Sequence, residues 1–197
     1  WVLTWINLRG VREAKIVQTS LTLIKTGALV ALIVLGVTLG RNAEAVAANF
    51  GNGAFSGGVN VTSAFMIAFG ASLVGSLFAS DAWNNVTFTA AEVKNPSRNL
   101  PLALLLGTGL VSLLYLLANV AYLNVLPLHG VKEAGTVMER GIQFATQDRV
   151  GSAALEVIFG PIGGSLMAAA ILISTFGCNN GLILAGARVY YAMAKDR

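Results

Sequence analysis

Residues 70–85 read Gly70-Ala71-Ser72-Leu73-Val74-Gly75-Ser76-Leu77-Phe78-Ala79-Ser80-Asp81-Ala82-Trp83-Asn84-Asn85. The stretch is apolar and rich in small side chains until Asp81, and then turns polar. Small residues at Gly70, Ala71, Ser72, Gly75, Ser76, Ala79 and Ser80 are the kind that let helices approach closely in lipid. The apolar run begins near Val61, so Asp81 is its residue 21, at the length a helix needs to cross a bilayer, about 20 residues. Two readings stand: the helix ends at Asp81, or it is interrupted there and resumes through Phe88 and Ala91. Backbone freed by an interruption must face protein or a water-filled cavity, and a broken span is the sequence pointer to a transporter's substrate site.

The flanking sequence points to lipid as the main solvent. The 197 residues are 55% hydrophobic and 11% charged, with a mean hydropathy of +0.72, whereas a soluble domain carries roughly 25% charged residues. No Lys, Arg, Asp or Glu lies between Arg98 and Lys132, or between Glu156 and Arg188. The expected fold is an all-α membrane protein forming one membrane-domain unit over 1–197. Four transmembrane helices are expected, over about 16–40, 61–92, 100–126 and 163–194, with the second one broken. Pro101 is expected in the first turn of the third span, and Pro127 ends it. Between the third and fourth spans, 128–160 reads as an outer loop with short surface helices, and a Gly/Asn-rich loop (Phe50 to Asn60) precedes the second.

The charges orient these spans. Arg9, Arg12, Lys15, Lys94, Arg98, Arg188, Lys195 and Arg197 fall on one side; Arg41, Lys132, Arg140 and Arg149 fall on the other, among Glu44, Glu133, Glu139 and Asp148. The side richer in basic residues, with the shorter loops, is cytoplasmic. A net charge of +4 spread in this way argues for no nucleic-acid partner. Cys178 is the one cysteine and has no internal disulfide partner. No metal cluster, nucleophile–base set or phosphate loop is visible, and no cofactor is expected. The opening on Trp1 and the stop at Lys195-Asp196-Arg197 read as cuts in a longer chain.

Two runs carry a family resemblance. Phe78-Ala79-Ser80-Asp81-Ala82-Trp83-Asn84 and Ala91-Glu92-Val93-Lys94-Asn95-Pro96-Ser97-Arg98-Asn99-Leu100-Pro101 resemble the sixth helix and following loop of amino acid permeases in the amino acid–polyamine–organocation (APC) superfamily. Members near the L-type amino acid transporters show F-A-x-x-G-W-N and then E-x-x-N-P-x-R-N-L-P. Thr175-Phe176-Gly177-Cys178-Asn179-Asn180-Gly181 with Ala187-Arg188 resembles their eighth helix, and Lys25 ahead of Gly36 their fifth. The resemblance implies a LeuT-like bundle of two five-helix inverted repeats, of which this chain holds roughly the fifth to eighth transmembrane helices. The first, third and tenth helices would lie in the missing remainder of the chain. It further implies a multi-pass protein of the cell (inner) membrane that carries amino acids by exchange or proton coupling and is not an enzyme.

The candidate residues follow, each with its plainer alternative. Lys25 sits mid-span, where a charge costs several kcal/mol unless it faces the interior and finds a partner; otherwise it snorkels to the interface. By resemblance its amine stands where sodium sits in sodium-coupled relatives. The partner position falls near Cys178, with Ser174, Thr175 or Asn179 as substitutes. Asp81 is either a helix-ending cap at the bilayer edge or a site residue at the unwound turn, binding a substrate amine or titrating. Phe78, Ala79 and Ser80 would act through freed carbonyls, and Phe78 also as an aromatic gate. Trp83 is either a site residue or an interfacial anchor, and Asn84 resembles a substrate-facing asparagine. Gly36/Gly40 and Gly177/Gly181 have the spacing of close helix contacts. The competing functions are a channel or non-transporting membrane scaffold, and, with least support, an intramembrane enzyme.

Overall fold

The computed structural model describes residues 1–51, 61–81 and 83–195. The Gly/Asn-rich loop 52–60, Ala82 of the site run, and Arg197 of the cytoplasmic cluster lie outside the described residues, as do the side chains of Arg12 and Glu92. Among the described residues every regular element is helical: α1 (Val2–Leu8), α2 (Val11–Thr38), α3 (Ala43–Phe50), α4 (Ser63–Ala79), a 3₁₀ segment (Asn85–Glu92), α5 (Pro96–Val125), α6 (Val137–Arg140), a short 3₁₀ turn (Thr146–Asp148), α7 (Val150–Phe159) and α8 (Ile162–Lys195).

Three of these, among the described residues, are long and apolar enough to cross a membrane: Glu13–Thr38, Pro96–Val125 and Ile162–Lys195, of 26, 30 and 34 residues. That makes the chain a membrane protein. The expected second span differs. Helix α4 has 17 residues, a rise of about 25 Å at 1.5 Å per residue, short of the roughly 30 Å hydrocarbon core. It stops at Ala79 because the Ser80 N–H turns back to the carbonyls of Ser76 and Leu77, at 3.1 and 3.2 Å. The Ser80 Oγ donates to the same Leu77 carbonyl at 2.9 Å, which tightens the last turn. Turns at Ser80, Asp81, Trp83 and Asn84 separate it from the 3₁₀ segment. Pro101 differs too. The helix starts earlier, with Pro96 in its first turn, so Pro101 lies inside α5. Pro96 takes the slot where a missing N–H costs nothing.

Helix α2 packs against α5 and α8, α7 packs against α8 and reaches α2 and α5, α3 lies on α5, and α1 lies on α8. Helix α2 meets both long partners through glycine. A Cβ on Gly36 would stand 2.9 Å from the Ala121 Cβ of α5, and one on Gly177 would stand 3.3 Å from the Leu21 Cβ of α2. In lipid such contacts hold helices by close packing rather than by the hydrophobic effect. The small residues of α4 find no such neighbours. Among the described residues nothing comes within 4 Å of a Cβ placed on Gly70 or Gly75, and every residue from Ser63 to Ala79 is exposed. The close packing expected of that stretch is absent among the described residues.

A cluster of buried apolar residues lies where α5 ends. Val125, Leu126, Ala145, Ala153 and Ala154 are buried together, with Tyr122, Ile142 and Ile158 against them. Pro127 stops α5, and Asn49 of α3 serves the backbone at its end. Its Nδ2 donates to the carbonyls of Leu123 and Leu126 at 2.7 and 2.8 Å, and its Oδ1 accepts from the Leu128 N–H at 2.7 Å. The short helices expected over 128–160 are thus part of a packed cap. Helix α7 buries Gly151, Ala153, Ala154 and Leu155, then turns through Gly160, at φ 69°, into α8.

Candidate functional site

Helices α2, α5, α7 and α8 enclose a cleft of about 600 Å³. Its walls are mostly aliphatic, including Leu29, Leu32, Leu114 and Ile171, and its polar groups are Lys25, Thr26, Tyr115, Ser174 and Cys178. Ser174 and Cys178 are four residues apart, so one face of α8 presents both. They share this cleft with Lys25, and Lys25 is half-buried there. Among the described residues its ammonium has no hydrogen bond or ion pair. A cation between apolar walls without a partner is expensive, so the cleft favours an oxygen-bearing or anionic partner near Lys25.

The other two members of that group do not join it. Thr175 is exposed, and its Oγ1 donates to the Ile171 carbonyl of its own helix at 2.9 Å. Asn179 is exposed and outside the cleft lining.

The residues expected at the broken span are a separate group. Phe78 and Ala79 end α4, Ser80 and Asp81 form its turn, and Trp83 and Asn84 lead into the 3₁₀ segment. None of the six lines the cleft. Phe78 is 80% exposed and Trp83 61%. The carbonyl of Phe78 accepts from the Asp81 N–H at 3.3 Å, and that of Asn84 accepts from the Thr87 N–H at 2.9 Å. Among the described residues no hydrogen bond reaches the carbonyls of Ala79 and Ser80. The fold therefore brings Lys25, Ser174 and Cys178 together and leaves Phe78 to Asn84 apart from them, on an open face.

The sequence reading passed over Asn180, which is the most buried polar residue described, at 0% exposure. Its Oδ1 accepts from the Asn7 Nδ2 at 2.8 Å, and its Nδ2 donates to the Gln18 Oε1 at 2.8 Å. It ties α1, α2 and α8 at one point. The available signal was an Asn-Asn pair inside an apolar run, with Gly181 next to it. Among the described residues no group of three or more His, Cys, Asp or Glu assembles as a metal site.

The family model for amino acid permeases matches residues 1–197. The chain belongs to the amino acid permease family. This permease chain, of the APC superfamily, is similar to the serine/threonine exchanger SteT of Bacillus subtilis (strain 168), 31% identical over 98% of this chain and 38% of that protein. It is similar to the b(0,+)-type amino acid transporter 1 of Homo sapiens, 29% identical over 97% of this chain and 35% of that protein. It is also similar to the large neutral amino acids transporter small subunit 2 of Oryctolagus cuniculus, 29% identical over 99% of this chain and 33% of that protein. The permease chain thus spans about a third to two-fifths of the length of these relatives. No solved structure matches it.

Proposed function

We propose that the protein is a secondary active transporter of amino acids, working by exchange or proton-coupled uptake through alternating access. The observation that carries this is the cleft, in which a permease-family chain presents an unpartnered Lys25 beside Ser174 and Cys178. The names of its relatives, an exchanger and two amino acid transporters, support the same reading. In this proposal the chain crosses the cell membrane four times within a LeuT-like bundle. Helix α4 and the 3₁₀ segment together make the second of these crossings, broken at the turn after Ala79. Phe78, Ala79, Ser80, Asp81, Trp83 and Asn84 then contact the amino acid. Lys25 supplies the fixed charge that coupling needs, with Ser174 or Cys178 as its oxygen or sulfur neighbour and Thr175 and Asn179 as further candidates.

The test is uptake of a radiolabelled amino acid panel by the full-length protein in proteoliposomes. Sodium is replaced by choline at constant membrane potential. The expected result is uptake of at least one amino acid that survives the replacement, because Lys25 stands in place of a bound cation. Acceleration by internal amino acid marks exchange, and acceleration by an imposed proton gradient marks proton coupling. Uptake of nothing in the panel overturns the transport reading; collapse in choline overturns the role of Lys25.

A further inference from the structure

A second cavity, of about 250 Å³, opens in the cap beside the core residues Ala145 and Ala153. Arg140, Arg149 and Glu156 line it together with the hydroxyl residues Thr146 and Ser152. These side chains come from three places in the chain, and the fold holds each. Arg140 ends α6, which is closed by a capping box between Thr136 and Glu139. The backbone on either side of it is tied by the Val131 N–H donating to the Glu139 carbonyl and the Ile142 N–H to the Pro127 carbonyl, both at 2.8 Å. Arg149 enters α7 directly after Gln147 and Asp148, which sit at φ 54° and 58°. That conformation is sparsely populated for such residues and clusters at ligand sites. The carboxylate of Glu156 lies over the start of α8, where a Cβ on Gly164 would come within 2.8 Å of its Oε1.

The charges do not cancel one another. Arg140 Nε is buried without a hydrogen-bond partner, which is an uncommon and costly state for a donor. Among the described residues neither guanidinium is ion-paired with Glu156. No side-chain cap closes the first turn of α7, so its free N–H groups add positive potential on the arginine side. One small cavity therefore presents two cations and, apart from them, one anion. A zwitterion has the complementary pattern.

We propose that this cavity is a second binding site for a small α-amino acid, distinct from both the Phe78 to Asn84 turn and the Lys25 cleft. Arg140 and Arg149 hold the carboxylate, and Glu156 holds the ammonium. Bidentate guanidinium–carboxylate bonds give the arginine side its geometric selectivity, and Thr146 and Ser152 offer hydroxyls to the same ligand. The choice of ligand rests on the transport reading given above; the separated charges stand without it.

The experiment is equilibrium binding of radiolabelled L-serine to the purified full-length protein, with uptake measured in parallel. The wild type is expected to bind two equivalents. Arg149→Gln and Glu156→Gln are each expected to weaken the second equivalent by about tenfold or more, the loss of one charge-assisted bond, with uptake retained. Serinol, which lacks the carboxylate, and glycerate, which lacks the ammonium, are expected not to displace the second equivalent. One equivalent or none in the wild type overturns the proposal. So does a second equivalent untouched by Arg149→Gln, or one that glycerate displaces as well as serine does. Arg149 is exposed, so its substitution remains informative if Glu156→Gln disturbs the start of α8. Uptake with a single bound equivalent sinks only this site, whereas absence of uptake across the whole amino acid panel sinks the transport reading.

Discussion

Helices α4 and α8 are written in much the same alphabet, and the fold treats them differently. Both are apolar and uncharged along most of their length, and both carry glycine, alanine and serine through the middle. In α8, Gly177 meets Leu21 and the adjacent Asn180 is sealed by Asn7 and Gln18. In α4, Gly70 and Gly75 meet no other part of the chain among the described residues, and every residue is exposed. Small residues license a close helix contact without creating one. The contact needs a partner surface at the same depth and rotation, and α2 supplies it to α8. The two proposed parts of the transport site divide along the same line. Lys25 lies within the packed helices, and the turn after Ala79 lies outside them.

Four substitutions test that division. The largest effect is expected from Lys25→Met. With the cleft's charge gone, initial uptake should fall about tenfold to a hundredfold, the equivalent of one charge-assisted interaction, while the folded fraction by size-exclusion chromatography is retained. Unchanged uptake would detach the cleft from transport. Next is Gly36→Val, which forces a side chain into the 2.9 Å approach to Ala121. Overpacking of this kind costs about 1–3 kcal/mol, and a thermal unfolding assay in detergent should show a clear loss of melting temperature.

Asn180→Leu should come third. It removes the bonds to Asn7 and Gln18 and a longer one to the Ala14 carbonyl, each worth about 0.6 kcal/mol on average in membrane proteins and up to about 1.7. The expected loss is therefore about 1–2 kcal/mol in the same assay. A null result would mean that Asn7 and Gln18 find equal partners elsewhere. The smallest effect is expected from Gly75→Ala in α4. Nothing lies within 4 Å to clash, and alanine is favoured over glycine in a helix by about 1 kcal/mol. Stability should stay level or rise slightly. A marked loss would show that α4 has a packing partner after all, and would close the contrast with α8.

Much of the molecule was readable from composition and punctuation. Charge-free runs located α5 and α8, and an apolar run interrupted only by Lys25 located α2, since each segment's preference for lipid is a sum over its own residues. Pro127 marks where α5 stops, because it acts on the local backbone, whereas the start expected at Pro101 lies at Pro96. The Gly36/Gly40 and Gly177/Gly181 pairs did fall at close contacts: Gly40 faces Val125 and Ile158, and Gly181 faces Gln18. Asp81 marked the end of α4 to within two residues.

Which residues face one another was decided only by the tertiary structure. Asn179 and Asn180 are neighbours in sequence, yet one is exposed and the other fully buried. Consecutive residues point about 100° apart on a helix of 3.6 residues per turn. In a soluble helix the apolar stripe would reveal that rotation. In a membrane helix the lipid-facing and protein-facing sides are equally apolar, so the stripe is erased and the rotation is set by packing alone. The same reason hid the placing of Lys25, Ser174 and Cys178 on one cleft, and the gathering of Arg140, Arg149 and Glu156 into one cavity. Hydropathy along the chain determined that this protein lives in a membrane and where its long helices run. Contact between helices decided which of its few polar groups meet.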